Sequence, residues 1–305
     1  MENGTYFYLM LFENLGYIRY AFFSLGFILY CAIMLFNVLI MLAIFLERTL
    51  HQPMYILISC LSFNSVFGTA GFFPRALTDL LSDTHSISLE ACILQSVVIF
   101  TYAANEYTIL MLMAFDRLTA ISKPLRYHNI ITPRFLIVSV SINMAFPMIL
   151  LSICGLLSTK LRMCGNKLFK VYCHNYEVVK LSCESTIITN VFGLLILITT
   201  IVIPLSLILY SYVKILIVCQ RSSSQFKGKA YQTCIPHIVV LLNFSIAVIS
   251  EVTLSRVVTL ELPIWLSVFL SLGFLIIPPI LNPLVYAFNL PDIRKKIICL
   301  LNPSR

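Results

Sequence analysis

Asp116 and Arg117 stand side by side at the end of a long apolar run. An acid next to a base at a hydrocarbon boundary can hold its neighbour in one state and release it in another, which is how a two-state switch is built. The same side chains also suit headgroup anchoring, with their charged tips reaching out of the lipid, and the pair alone does not decide between the two. Glu106 precedes Arg117 by 11 residues, about three helical turns. Both can therefore face one side of a helix, with Leu110 and Met113 between them. A carboxylate so placed holds a cation through oxygen ligands or stays protonated and hydrogen-bonded. A sixth apolar run contains His237, Glu251 and Arg256. Arg256 is suited to pair bidentately with an anionic group on a ligand; headgroup contact or a local bond to Glu251 is the competing use. The apolar runs hold no nucleophile–base set and no metal-ligand cluster, so neither covalent catalysis nor a cofactor is expected.

These residues need elements to hold them. The chain has 305 residues, 59% hydrophobic and 11% charged, whereas a water-soluble domain carries about 25% charged residues. Seven stretches are long enough to cross a hydrocarbon core, for which about 20 helical residues suffice. They lie near 20–46, 54–73, 91–115, 135–157, 186–213, 234–258 and 262–290. The runs are continuously apolar rather than alternating, which selects helices over a barrel. The expected fold is an all-α membrane protein, a single seven-helix unit spanning 1–305. Pro291 suits the first turn of a further helix, and Ile293, Ile297, Ile298 and Leu301 opposite Arg294, Lys295 and Lys296 make 291–301 a short amphipathic segment.

Arg48, Arg117, Lys123, Arg126, Arg134, Lys214, Arg221, Lys227, Lys229, Arg294, Lys295, Lys296 and Arg305 fall in one set of loops and termini. The other set carries Arg19, Arg75, Lys160, Arg162, Lys167, Lys170, Lys180 and Arg256, offset by roughly as many acids. Basic residues flanking spans stay in the cytoplasm, so the amino terminus is expected outside and the carboxyl terminus inside. The net charge of +8 then points to anionic lipid and a cytoplasmic partner, not to nucleic acid. Met1–Arg19 lacks the pattern of a cleaved leader, and the first span is expected to act as an uncleaved anchor. Asn3-Gly4-Thr5 is a glycosylation acceptor on the lumenal side; the same pattern at Asn243 lies within a span and is discounted. Cys92, Cys164, Cys173 and Cys183 fall near the expected outer face and allow three disulfide connectivities.

Met113-Ala-Phe-Asp-Arg-Leu-Thr-Ala-Ile-Ser122, followed by Lys123-Pro-Leu-Arg-Tyr127, resembles the segment that marks vertebrate olfactory receptors. Leu50-His-Gln-Pro-Met-Tyr55, Asn37, Ser211-Tyr212, Lys229-Ala-Tyr-Gln-Thr-Cys-Ile-Pro-His237 and Pro278-Pro-Ile-Leu-Asn-Pro-Leu-Val-Tyr286 match the same family in the same order. Asn243-Phe244-Ser245 and Leu290-Pro291 look more like its fish-type members than its mammalian ones. The resemblance implies a G-protein-coupled receptor in sensory cilia that binds a small odorant and raises cyclic AMP through a stimulatory heterotrimeric G protein.

The same resemblance implies that Asp116 holds Arg117 at rest and that Tyr212 and Tyr286 approach Arg117 on activation, with Asn282, Pro283 and His237 in the same machinery. Pro283 removes a backbone hydrogen bond, and Asn282 can satisfy freed groups or bond Asn37. By family analogy Ile99, Phe100, Ala103 and Ala104 face the ligand cavity. The disulfide pairing carried with it is Cys92–Cys173 and Cys164–Cys183. Olfactory receptors pair the acid at the Glu106 position with an Asp in the second helix, forming a sodium-like site; here that place reads Asn64-Ser65, which leaves the ion open. Cys299 is a candidate for palmitoylation. A transporter or channel would show duplicated halves or lines of charge, and a peptide or amine receptor a longer outer tail or a cavity-facing acid in the third helix.

Overall fold

A chain in hydrocarbon must satisfy every backbone N–H and C=O within itself, and the helix does so locally. The computed structural model describes residues 6–12, 15–220, 224–256 and 263–301, and among these, seven helices are long and apolar enough to span a membrane. They are α1 (Ile18–Leu46), α2 (Pro53–Leu81), α3 (Leu89–Ser122), α4 (Pro133–Thr159), α5 (Ile187–Gln220), α6 (Ser224–Arg256) and α7 (Ile264–Asn289). A shorter helix, α8 (Pro291–Leu301), follows. Asn3 lies outside the described residues.

Several helices overrun the apolar runs that announced them. α2 continues to Leu81 rather than residue 73, α3 covers 89–122 rather than 91–115, and α6 begins at Ser224 rather than 234. Hydrophobicity marks where a helix leaves hydrocarbon, whereas hydrogen bonding continues until a cap stops it. Two starts are capped as their residue types dictate: Ser88 accepts from Ala91 N at 3.3 Å, and Thr132 accepts from Phe135 N at 3.1 Å ahead of Pro133. Within α5 a π-helical turn, Ile198–Val202, interrupts the α-helix.

α3 is the axis of the bundle. It packs against α2, α4, α5 and α6, and 72% of its apolar window is buried against 11% for α4. α4 turns Ile137, Ile142, Ile149 and Leu156 outward, an apolar face of the kind lipid covers. Small residues set the close approaches. Gly68 and Gly71 of α2 lie against Tyr102 and Val98, and a Cβ on Gly155 of α4 would meet Ile93 Cγ2 at 2.7 Å.

The amino-terminal segment adds a small sheet to the helical fold. β1 (Tyr6–Leu9) pairs antiparallel with β2 (Ser86–Ser88) and parallel with β3 (Lys167–Leu168), in the order β2-β1-β3. The pleat sends alternate side chains to opposite faces, so Phe7 and Leu9 are buried while Tyr6 and Tyr8 stay exposed. The sheet lies at the end of the bundle that carries the disulfides Cys92–Cys173 and Cys164–Cys183.

At the opposite end α8 docks on the bundle through Ile293, which is fully buried, with Ile297 partly buried and Ile298 exposed. Tyr55 donates to Asp292 at 3.2 Å and Lys296 to Glu47 at 3.1 Å, which ties α8 to the first turn of α2 and to the residue that follows α1. The hydrogen bond from Lys296, and next those from Thr49, hold the Glu47 carboxyl below its usual range. Cys299 is exposed.

Candidate functional site

The chemistry-bearing residues gather at three levels along α3. At the disulfide end, a cavity of about 130 Å³ opens between α3, α4, α5, α6 and the short loop helix Asn175–Lys180. Phe100, Ala103 and Ala104 line it as expected. Ile99 does not: it is fully buried in the core, because one residue is about 100° of helix and turns it away from the face that Phe100 shares. The π-helical turn of α5 contributes Thr200 and Ile201 to the wall, in keeping with the tendency of such turns to occur at functional sites.

The loop between α4 and α5 folds down over this cavity. The bond from Cys92 to Cys173 anchors it to α3, where Cys173 N donates to Gln95 Oε1 at 3.0 Å and Asn175 N to Ser96 Oγ at 3.1 Å. Lys170, expected among solvated loop charges, is instead buried. Its Nζ donates to Glu251 Oε1 at 2.9 Å and to Ser271 Oγ at 3.1 Å. Tyr172 also donates to Glu251 Oε1 at 2.9 Å. A carboxylate inside the bundle requires such company, since an unpaired buried charge is costly. Burial, and next the charge of Glu251, push the Tyr172 hydroxyl well above its ordinary range.

His174 Nδ1 accepts from Tyr176 N at 3.2 Å, so Nε2 carries the proton and points to Glu251 Oε1 at 3.6 Å. Burial first, then Lys170, Arg256 and Lys180, hold its pKa down at about 3. Arg256 lines the cavity, but its guanidinium lies 4.5 Å above the Tyr176 ring, a cation–π contact. Among the described residues Arg256 stacks on Tyr176 instead of bonding Glu251, of which Lys170 and Tyr172 hold one oxygen, Oε1.

The middle level is polar and wholly internal. Glu106 is fully buried and accepts from Asn64 Nδ2 at 3.0 Å and from Asn282 Nδ2 at 2.7 Å. Asn282 thus bonds Glu106 and not Asn37. Asn37 donates to Pro279 O at 2.9 Å, the carbonyl that residue 283 would have bonded had it not been proline. One turn earlier the same logic recurs: Pro278 leaves Phe274 O free, and Tyr102 OH donates to it at 3.1 Å. The consecutive prolines announced freed carbonyls, but nothing local named Tyr102 as the donor. Ser65 is buried beside Asn64, with its hydroxyl unpartnered and not on Glu106.

At the far end Arg117 Nη2 lies 2.9 Å from Asp116 Oδ2, and Arg117 Nε donates to the same oxygen at 3.1 Å. Asp116 Oδ1 accepts from Tyr127 OH at 2.6 Å. Tyr127 is the functional candidate that sequence reasoning left without a role. Burial, and then the bond to Asp116, raise its hydroxyl above the ordinary range. Tyr286 is fully buried and sits 3.3 Å from His237 Nδ1, and Tyr212 is buried nearby. Among the described residues neither tyrosine hydrogen-bonds Arg117, whose partner is Asp116.

The sequence profile of the family described as Olfactory receptor matches residues 26–303. The chain is 33% identical over 263 residues to human Olfactory receptor 51I2, covering 86% of this chain and 84% of the relative. It is 35% identical over 269 residues to human Olfactory receptor 51L1, covering 86% and 84%. Human Olfactory receptor 6N1 is 32% identical over 310 residues, covering 97% and 96%.

Proposed function

The chain belongs to the olfactory receptor family and is an odorant-sensing, multi-pass G-protein-coupled receptor of the plasma membrane, and we propose that the three levels along α3 are its ligand site, its internal coupling and its switch. The family implies that the partner is a heterotrimeric G protein and the output a rise in cyclic AMP. The odorant occupies the cavity under the disulfide-anchored loop. That end, with the amino terminus and Asn3, faces outside, and the Asp116 end with α8 and Cys299 faces the cytoplasm of a sensory cilium; the distribution of Lys and Arg supports this orientation. Basic residues of α8 meet anionic lipid, and Cys299, exposed beside them, is available for acylation.

One observation carries the switch. Asp116 holds Arg117 and is itself held by Tyr127, while among the described residues Tyr212 and Tyr286 do not hydrogen-bond Arg117 and Tyr286 sits against His237. This is a resting arrangement with its active partners in reserve. The odorant acts by favouring the other arrangement, so it must bind that state better. Arg256, on the cavity wall, takes an anionic group where the odorant has one. At the middle level Asn64 and Asn282 turn amide N–H groups to the two oxygens of Glu106, and either a cation or a proton neutralises that carboxylate. A fish-type assignment has only residues 243–245 and 290–291 behind it, while the relatives above are human; the reading proposed is the family without a subfamily. The test is Arg117→Ala in cells with a cyclic AMP reporter. Agonist response should vanish while the receptor remains at the surface, and a normal response refutes the role.

A further inference from the structure

Glu251 is 2% exposed and lines the cavity, yet only one of its carboxylate oxygens is used. Oε1 accepts from Lys170 and Tyr172, whereas Oε2 is buried with no hydrogen-bond partner. Asn175, on the same wall, is also half used. Its Nδ2 donates to Cys154 Sγ at 3.5 Å, and its Oδ1 has no partner. Both unmet groups are acceptors. A buried acceptor left unmet costs free energy that a donor recovers, so the cavity asks its occupant for an O–H or N–H. A ligand offering only acceptors, such as a ketone or an ether, leaves both oxygens as they are.

The charges around the site choose between donors. Arg256 lines the cavity from α6, and Lys170 reaches Glu251 from the loop. Lys180 donates to Glu177 and to Ser255 O, and His174 is uncharged at neutral pH. Glu251 already has its counter-ion in Lys170, so an incoming ammonium would meet a neutralised carboxylate beside the Arg256 guanidinium. A neutral hydroxyl meets no such penalty. The remaining wall, with Ile196, Ile201, Val248, Val252 and Phe274, is apolar. A cavity of about 130 Å³ is close to the ~150 Å³ engineered cavities that hold benzene, which sets the ligand at roughly six to eight heavy atoms.

We propose that Glu251 is a specificity-determining residue that selects small hydroxylated odorants, its free oxygen accepting the ligand hydroxyl with Asn175 as second acceptor. The inference rests on the reading of this cavity as the odorant site. It also gives the ligand a direct hold on α6, the helix that bears His237 at its other end.

The experiment compares cyclohexanol, cyclohexanone, methoxycyclohexane and cyclohexylamine on the full-length receptor in a cyclic AMP reporter, with surface level measured in parallel. Cyclohexanol should be at least tenfold more potent than the other three. Glu251→Gln keeps an oxygen for Lys170 and Tyr172 and turns a donor toward the ligand, so the alcohol-to-ketone preference should fall or invert. Equal potency of ketone or ether, a better response to the amine, no response to the alcohol, or an unchanged preference in Glu251→Gln overturns the proposal. If Glu251→Gln does not reach the surface, Asn175→Ala decides: its alcohol-to-ketone ratio should fall, and an unchanged ratio overturns the proposal. Failure of the receptor reading itself is seen separately, in ligand-independent cyclic AMP that does not depend on Arg117.

Discussion

Replacing Asp116 with Asn should raise signalling in the absence of any odorant. Asp116 Oδ2 accepts two contacts from Arg117, at 2.9 and 3.1 Å, and Oδ1 accepts from Tyr127 at 2.6 Å. Asparagine keeps an acceptor for Tyr127 but removes the negative charge that Arg117 faces. A charge-assisted hydrogen bond is worth about 1.5–3 kcal/mol. Arg117 is 19% exposed, so solvent screening takes part of that back, leaving about 1–2 kcal/mol. If the contact exists only in the resting state, its loss multiplies the active-to-resting ratio by about 5 to 30. Tyr127→Phe removes one neutral donor from the same carboxylate and should give a smaller rise in the same direction. The assay is ligand-independent cyclic AMP divided by surface receptor. A basal signal that stays flat or falls in Asp116→Asn at normal surface level would refute the reasoning, as would a larger effect from Tyr127→Phe.

Two further outcomes follow from packing and titration. Gly155→Ala should destabilise the bundle by about 1–3 kcal/mol, since the new Cβ would lie 2.7 Å from Ile93 Cγ2; an unchanged thermal midpoint of purified receptor would count against the close α3–α4 approach. His174 has a folded pKa of about 3 against an ordinary 6.5, so between those values the unfolded chain binds a proton that the folded chain refuses, and stability is lost as pH falls from about 6.5. Lowering pH from 7.5 to about 4.5 should therefore cost on the order of 2 kcal/mol through this residue, and His174→Gln should remove that part of the acid sensitivity; equal acid sensitivity of the two proteins would exclude the buried, uncharged histidine.

The seven spans were legible because lipid imposes one demand, about 20 apolar residues per crossing, and that demand is written locally. What escaped was non-local. β1, β2 and β3 are two to four residues long, with partners some 80 and 160 positions away, so no periodicity announces them. Pro283 told that a backbone bond would be lost, but which side chain answers depends on how the helices rotate. Asn37 took Pro279 O, and Asn282 turned to Glu106. Lys170 reads with the outer loop charges although Phe169 and Val171 flank it; the Cys92–Cys173 bond that brings its loop into the bundle is what buries it. On α3, Phe100, Ala103 and Ala104 line the cavity, while Ile99 turns into the core, a difference of one residue of helix that spacing alone does not resolve.

The size of the cavity constrains the energetics of the switch. Moving a two-state equilibrium from 1:99 to 99:1 takes about 5.5 kcal/mol of differential affinity. A ligand of roughly six to eight heavy atoms, at the ~1.5 kcal/mol per atom open to the very best small ligands, has at most about 9 to 12 kcal/mol in all. Most of that comes from apolar burial, which both states can offer, so only a fraction discriminates between them. A single hydroxyl bond to Glu251, if it forms only in the active state, discriminates by about 1–2 kcal/mol, the same scale as an Asp116–Arg117 contact confined to the resting state. It follows that the resting bias is shallow: a deep one would need more differential energy than so small an odorant can deliver, and a shallow one makes ligand-independent signalling measurable in the unmodified protein.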